Sequence, residues 1–440
     1  MLKRMLIVVV TIVCACSAAE VARNPGVSPR LETPGGMPKR METWVPVRPI
    51  TRGPAYHWFG YYDKNQFDPT GRYLLGMEVG FEDRSPTPND VITVGMIDLA
   101  DNDRWIPLGT TRAWNWQQGC MLQWRPCSVS EVVWNDREGD RFVCRIMNVK
   151  TREMRTLPYP IYTLSPDGRT AMTVDFRRIN DMRPGYGYAG LPDPNVDNIA
   201  PDDSGIWRVD LDTGEAELVI SVADMLSIGY PKGDVTDKKH YFNHLLFSPD
   251  GSRFIFLNRW RINEFRETNP DTPFDTRMLT ARADGSDIRV VDDYGYTSHF
   301  IWRDPDHILA WAREPEHGDA FYLFTDDGSR SYEVVGEGVM TRNGHCSYLP
   351  GNDWILCDTY PDDNRLQEVY LFNPAANRKV VLGRFYMHPK YKFDWECRVD
   401  THPRMSRDGR FVCIDSPHDG RGRQLYLLDI GSVVAGEELK

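Results

Sequence analysis

Positive charge is in short supply along this 440-residue chain: 52 Lys and Arg face 63 Asp and Glu, a net charge of −11. No basic patch stands out, which argues against a nucleic-acid or anionic-membrane partner. It also disfavours a long polyanionic substrate, unless a local group of arginines or a metal reverses the field. Cysteine is sparse as well. Beyond the first 19 residues remain Cys120, Cys127, Cys144, Cys346, Cys357, Cys397 and Cys413. Their odd number and the lack of any CxxC spacing argue against a zinc–thiolate site. Cys346 and Cys357 fall on neighbouring strands of one repeat, either as a disulfide or as buried thiols. Helix signals are few, with one short helical turn expected over Val222 to Ile228. There is no G-x-S-x-G elbow, phosphate loop or EF-hand loop, and no carboxylate pair stands out as a glycosidase acid and base.

The N-terminus has a basic start (Lys3, Arg4), an apolar run from Met5 to Val13 and small residues from Cys14 to Ala19. The run is too short for a membrane span and reads as a secretory signal over residues 1–19. Two exits are open: a lipoprotein box with Cys16 as the lipidated residue, or conventional cleavage after Cys16-Ser17-Ala18. Either places the mature protein across the inner membrane, in the periplasm or as an outer-membrane lipoprotein. Residues 20–42, rich in Pro, Gly and charge, read as a tether.

From residue 43 to 440 the rhythm is strand, turn, strand, loop, strand, turn, strand. Seven turn-centred hairpins recur, among them Leu164-SPDG-Arg169, Phe247-SPDG-Ser252 and Met405-SRDG-Arg410. Four strands repeated seven times predict an all-β fold, a seven-bladed β-propeller. The last repeat has only three clear strands before the chain ends. Residues 43–51 are therefore expected to supply its fourth strand and close the ring, removing an exposed edge.

Five residues before each turn position stand Lys64, Met121, Ile161, His244, His299, His345 and His402. In a propeller these positions open the innermost strands, beside the long loops Glu78 to Val91, Phe176 to Ser204, Arg259 to Arg277, Asp358 to Gln367 and Ser416 to Arg423. Four histidines in one register thus converge on a single funnel. Imidazole there suits metal ligation or proton transfer near neutral pH. Arg259 and Arg404, near strand ends facing the funnel, and Arg183 on the longest loop can hold a carboxylate through a planar fork. Tyr186 and Tyr188 are candidates for stacking on a sugar face. Trp114, Trp116 and Trp260 read more readily as core packing. Tyr61 and Tyr62 precede the first hairpin within reach of the funnel.

The stretches Asn243-HLLFSPDG-Ser252, Thr297-SHFIWRDPD-His307, Asn343-GHCSYL-Pro350 and Asp400-THPRMSRDG-Arg410 resemble the oligogalacturonate lyase family, seven-bladed propellers that cleave short pectic uronides. The resemblance covers about half the chain, from His244 to the C-terminus. It implies that His244 is the base, assisted by an arginine, here assigned to Arg259. It also implies a divalent cation, typically manganese, held at the positions of His299 and His402. The family's remaining ligands, a Gln and a His, are replaced here by Val399 and Arg404. His345 then substitutes for a lost ligand, or Arg404 supplies positive charge in place of the ion; Arg404, Arg183 and Tyr188 are expected to meet substrate. The expected activity is β-elimination on uronate-containing oligosaccharides. A propeller glycoside hydrolase using the same funnel, or a non-catalytic envelope propeller binding glycan or protein partners, remain the alternatives.

Overall fold

The recurring Ser-x-Asp-Gly turn forms the same bonds wherever it falls. At residues 165–168, 248–251 and 406–409 the glycine N–H donates to the serine carbonyl, and the serine hydroxyl donates to the aspartate. Gly168, Gly251 and Gly409 take φ of 71°, 75° and 70°, a left-handed backbone that a Cβ disfavours. Each turn joins the innermost strand of a sheet to the second strand.

The computed structural model describes residues 41–261, 275–392 and 396–436. Seven antiparallel sheets follow one another over residues 56–111, 123–157, 163–221, 239–292, 297–335, 346–386 and 404–429, the seven blades of a β-propeller. Val47–Pro49 pairs with Gln424–Asp429 as the outer strand of blade seven, closing the ring as the sequence predicts. Met41–Thr43 adds a fifth strand to the outer edge of blade six. Met41 and Glu42, grouped by composition with the tether, therefore belong to a sheet. The signal segment, Cys16 and residues 20–40 lie outside the described residues, as does the middle of the loop from Arg259 to Arg277.

Apolar side chains on facing sheets fill the space between blades. Trp58, Trp114, Trp116, Trp124 and Trp134 are sealed within one such layer, each worth about 3–5 kcal/mol against truncation to alanine. Trp260 is buried against Tyr230 and His240. The aromatic residues expected as core are core. The seven cysteines among the described residues are free thiols, with Cys346 and Cys357 directly opposite each other on paired strands of blade six. Residues Ala223–Ser227 form a short 3₁₀ turn where a helical turn was expected. A helix not foreseen, Phe176–Met182, opens the long loop of blade three, its N-terminus capped by Asp175 accepting from the Arg177 N–H.

Blade one departs from the pattern in a way that shapes the centre of the molecule. Its innermost strand begins as Tyr56–Trp58, paired with residues 77–79, and resumes only at Phe67, which bridges Leu74. Between them residues 59–66 leave the sheet and place Tyr61 and Tyr62 among side chains of blades four to seven. The axis is thus plugged by a loop rather than left open.

Deleting residues 41–50 should lower the melting temperature by at least about 5 °C, followed by circular dichroism. An unchanged transition would mean that closure by this segment contributes nothing to stability.

Candidate active site and metal centre

The four histidines reach the axis because the backbone is bent to aim them. The pairing of blade four slips between Asn243 and Leu246, and that of blade five between Thr297 and Phe300. Such bulges turn a side chain out of the regular alternation. His244 and His402 have φ of 52° and 40°, conformations costing about 1–3 kcal/mol each. Both are held by hydrogen bonds. The His244 N–H donates to the Tyr162 hydroxyl at 2.9 Å, and the His402 N–H donates to Asp358 at 3.1 Å.

The rings converge as the register predicts. His345 lies 4.1 Å from His299 and 4.2 Å from His402 between ring centroids. Tyr61 packs against His244, His345 and His402, and Tyr62 against His244, His299 and His345, at 4.9 to 6.2 Å. His244, His299, His345 and His402 are only 1, 6, 2 and 3% exposed. Burial pushes His299 and His402 well below their ordinary pKa, with neighbouring His345 adding to the shift in both.

His345, Asp400 and His402 form a group able to hold a metal ion, with one donor atom from each lying within 4.8 Å of the others. The chemistry of the donors fits a divalent cation. His345 Nδ1 is 2.9 Å from Asp358, which leaves its Nε2 lone pair for another partner. Asp400 meets Arg398 through Oδ2 at 2.8 Å, while its buried Oδ1 and the buried Nε2 of His402 find no hydrogen-bond partner. Unsatisfied donors and acceptors at this depth are costly unless something fills the space between them. His299, expected as a ligand, stands beside this group instead. Its Nδ1 is 3.1 Å from Asn343 Oδ1 and its Nε2 3.4 Å from the Tyr360 hydroxyl. Asp400 is the member of this group that the sequence reading missed; Val399 packs in an apolar cluster with Met387 and Tyr391.

His244 sits apart from that group, stacked on Phe300 at 3.9 Å. Its Nε2 is 3.3 Å from Asp63 Oδ2, and its buried Nδ1 has no partner. Burial lowers its pKa to about 4, against the opposing pull of Asp63. Burial works against ionisation of Asp63 too, but Lys64, 3.0 Å away, and His244 outweigh it and hold the carboxyl below its usual range.

The arginines divide. Arg259 is 3% exposed, donates to the Thr276 hydroxyl and the Thr297 carbonyl at 3.1 Å each, and is close enough to His244 to depress its basicity. Burial, then the charge of Arg183, lowers Arg259 to about 10. Arg183 lies over the Tyr186 ring at 3.7 Å, and the Tyr186 hydroxyl accepts from Arg398 at 3.0 Å. Burial alone would raise the Tyr186 pKa, yet Arg183 and Arg398 together draw it below its ordinary value.

Two expected substrate contacts are elsewhere. Tyr188 is sealed in the core, stacked on Phe176 at 4.2 Å with its hydroxyl accepting from Asn135. Its neighbour Tyr186, also buried, is the one that meets the arginines Arg183 and Arg398. Arg404 is buried in an ion pair with Asp415 at 2.7 Å and also donates to Gln66 Oε1 at 3.0 Å. Its charge is satisfied below the histidines and does not stand in for an ion. Asp415 in turn accepts the N–H groups of Phe59 and Gly60. One guanidinium thereby ties both ends of the plug loop.

No family model matches the sequence, and no curated protein matches it in sequence comparison. Comparison of structures does find relatives. An oligogalacturonate lyase from Vibrio parahaemolyticus aligns with a TM-score of 0.59 at 14% identity, over 89% of this chain and 96% of that one. The fold is shared. An oligogalacturonate lyase in complex with manganese aligns at 0.61 and 15% identity, over 88% of this chain and 93% of that one. At this distance the likeness establishes a common seven-bladed architecture across nearly the whole propeller.

Two outcomes follow from these contacts. Arg404→Met should cost about 3–5 kcal/mol in urea unfolding, since it strands a buried carboxylate, and Arg404→Met/Asp415→Leu should recover part of it. A single-variant loss under about 1 kcal/mol would rule out the clamp. Because His244 is depressed in the folded state, the unfolded chain binds more protons between pH 6.5 and about 4. The stability it contributes is full above pH 6.5 and disappears toward pH 4, by up to about 3 kcal/mol. Denaturant midpoints measured across that window should fall with pH in the wild type and fall less in His244→Asn.

Proposed function

We propose that this protein is a lyase that cleaves uronate-containing oligosaccharides by β-elimination. The observation that carries the reading is a neutral imidazole, His244, with an unpartnered Nδ1 beside Arg259 and one ring layer from the His345–Asp400–His402 group. The reaction needs these three elements. The C5 proton of a uronate is only weakly acidic until positive charge offsets its carboxylate. Arg259, with Arg183 behind it, supplies fixed positive charge near the base. His244, uncharged at neutral pH, takes the C5 proton. The C5–H electron pair becomes the C4=C5 double bond as the C4–oxygen bond breaks. The leaving oxygen takes up one proton, so no water is consumed and a 4,5-unsaturated sugar results. His345, Asp400 and His402 would hold a divalent cation, and manganese is our choice because a structurally similar lyase is described with it. Bound there, the cation would act as a Lewis acid toward the carboxylate.

The likeness in fold to oligogalacturonate lyases supports galacturonate oligomers as the first substrates to try. Secretion across the inner membrane, with or without a lipid at Cys16, belongs to the same proposal. A periplasmic or outer-membrane location suits soluble oligosaccharides, and fractionation with mass analysis of the mature N-terminus tests it. A second reading, a glycan-binding propeller without catalysis, is favoured by the near-complete burial of all four rings.

One assay separates the readings. The mature protein is incubated with pectic, glucuronan, ulvan and alginate oligomers, with and without Mn²⁺, while the ultraviolet absorbance of the conjugated product is followed. Turnover is expected on at least one uronate, with His244→Ala reduced by about 100- to 10,000-fold. Reducing sugar without the chromophore would indicate a hydrolase. Silence across the panel, with binding intact in His244→Ala, would establish the binding reading.

A further inference from the structure

The plug loop carries an acidic residue that no spacing rule singles out. Asp63 has a side chain fully removed from solvent, paired with Lys64 at 3.0 Å and with His244 at 3.3 Å, two partners equally buried. An aspartate bonded to an ammonium group is ionised and can only accept hydrogen bonds. The proton between Asp63 and His244 must therefore reside on His244 Nε2. That choice fixes the other nitrogen: Nδ1 carries the lone pair. Nδ1 is also the atom that is buried without a partner, at a cost of about 1–3 kcal/mol.

We propose that Asp63 is a positioning residue: it holds His244 as the Nε2–H tautomer, so that Nδ1 is the atom that accepts the substrate proton. The inference rests on the lyase reading for its substrate, but the geometry stands independently. Each neighbour has a part. The Tyr162 hydroxyl fixes the His244 backbone, and Phe300 lies flat on the ring, so the imidazole cannot swing away from the carboxylate. Tyr61 and Tyr62 close its edges at 4.9 and 5.8 Å. Lys64, whose ammonium also faces the Tyr162 ring at 5.1 Å, balances the Asp63 charge. Burial, assisted by the charge of Lys64, keeps the ring neutral at rest against the pull of Asp63, and Asp63 stabilises the imidazolium that forms when Nδ1 is protonated. This is the logic by which a buried carboxylate orients a histidine base.

The test reads tautomer and kinetics separately, on the full mature protein labelled with ¹⁵N-histidine. Long-range ¹H–¹⁵N spectra at pH 7.5, with His244→Gln used to assign the signal, should show His244 protonated at Nε2 and bare at Nδ1. A signal from the Nδ1–H form or from the imidazolium would overturn the proposal, whatever the activity. Asp63→Asn should shift the signal away from the Nε2–H form and lower kcat by about 100- to 10,000-fold with KM changed less than about threefold. Asp63→Glu should restore part of both. Unchanged kcat in Asp63→Asn would also overturn it. If Asp63→Asn does not fold, the wild-type spectrum decides the tautomer. If no uronate is turned over, that spectrum still reads the dyad, so failure of the lyase reading remains distinct from failure of this one.

Discussion

The ion pair between Arg404 and Asp415, sealed from water in the last blade, ties that blade to the first. Arg404 reaches Gln66 at one end of the plug loop, and Asp415 receives the backbone of Phe59 and Gly60 at the other. A buried pair of this kind gains little over an apolar substitute, but losing one partner is expensive. Its value here is geometric. The pair anchors both ends of the loop that carries Tyr61, Tyr62 and Asp63, while the Tyr62 hydroxyl bonded to the Phe300 backbone and the contact of Asp63 with His244 hold its middle. The imidazoles of four blades pack against those tyrosines, so the order of the centre rests on this set of contacts.

Strain is distributed around the same centre. His244 and His402 sit in left-handed backbone conformations, and bulges interrupt blades four and five at their histidines. A regular strand would point alternate side chains between neighbouring blades. The irregularities turn imidazoles toward the axis, and hydrogen bonds from the His244 and His402 N–H groups to Tyr162 and Asp358 hold them there. Asp358 also receives the His345 N–H and the Thr401 hydroxyl. One carboxylate therefore ties blades six and seven together at their upper ends.

The architecture and the histidine cluster were legible because both are repeats. A turn with glycine in a left-handed conformation marks five of the seven hairpins, at Gly71, Gly168, Gly251, Gly351 and Gly409, and counting back from the turn lands on the same place in every blade. What was not legible is whatever breaks the repeat. Arg404 was placed near a strand end facing the funnel, two residues after His402, but the strand begins only at Arg404, and His402 precedes it at positive φ. Parity is lost across that joint. Tyr188 was grouped with Tyr186, yet Gly187 lets the chain press against the backbone of Asn180, and the two buried rings part, one stacking on Phe176 and the other under Arg183. Asp400 and Asp63 stand out only when distant segments are brought together, because a chain rich in carboxylates gives neither a distinguishing neighbour. Their signal was proximity in sequence to a register position, His402 in one case and Lys64 in the other.

The outer strand of the last blade comes from residues 47–49, and the clamp on residues 59–66 comes from residues 404 and 415. A growing chain can therefore form its middle blades early, from local hairpins, but cannot assemble the centre until residues 404–429 have emerged. Such long-range closure is slow, and it leaves unpaired strand edges exposed in the meantime. A partly synthesised ring has no ordered axis, so the imidazoles of four blades are brought together only once the last blade has formed.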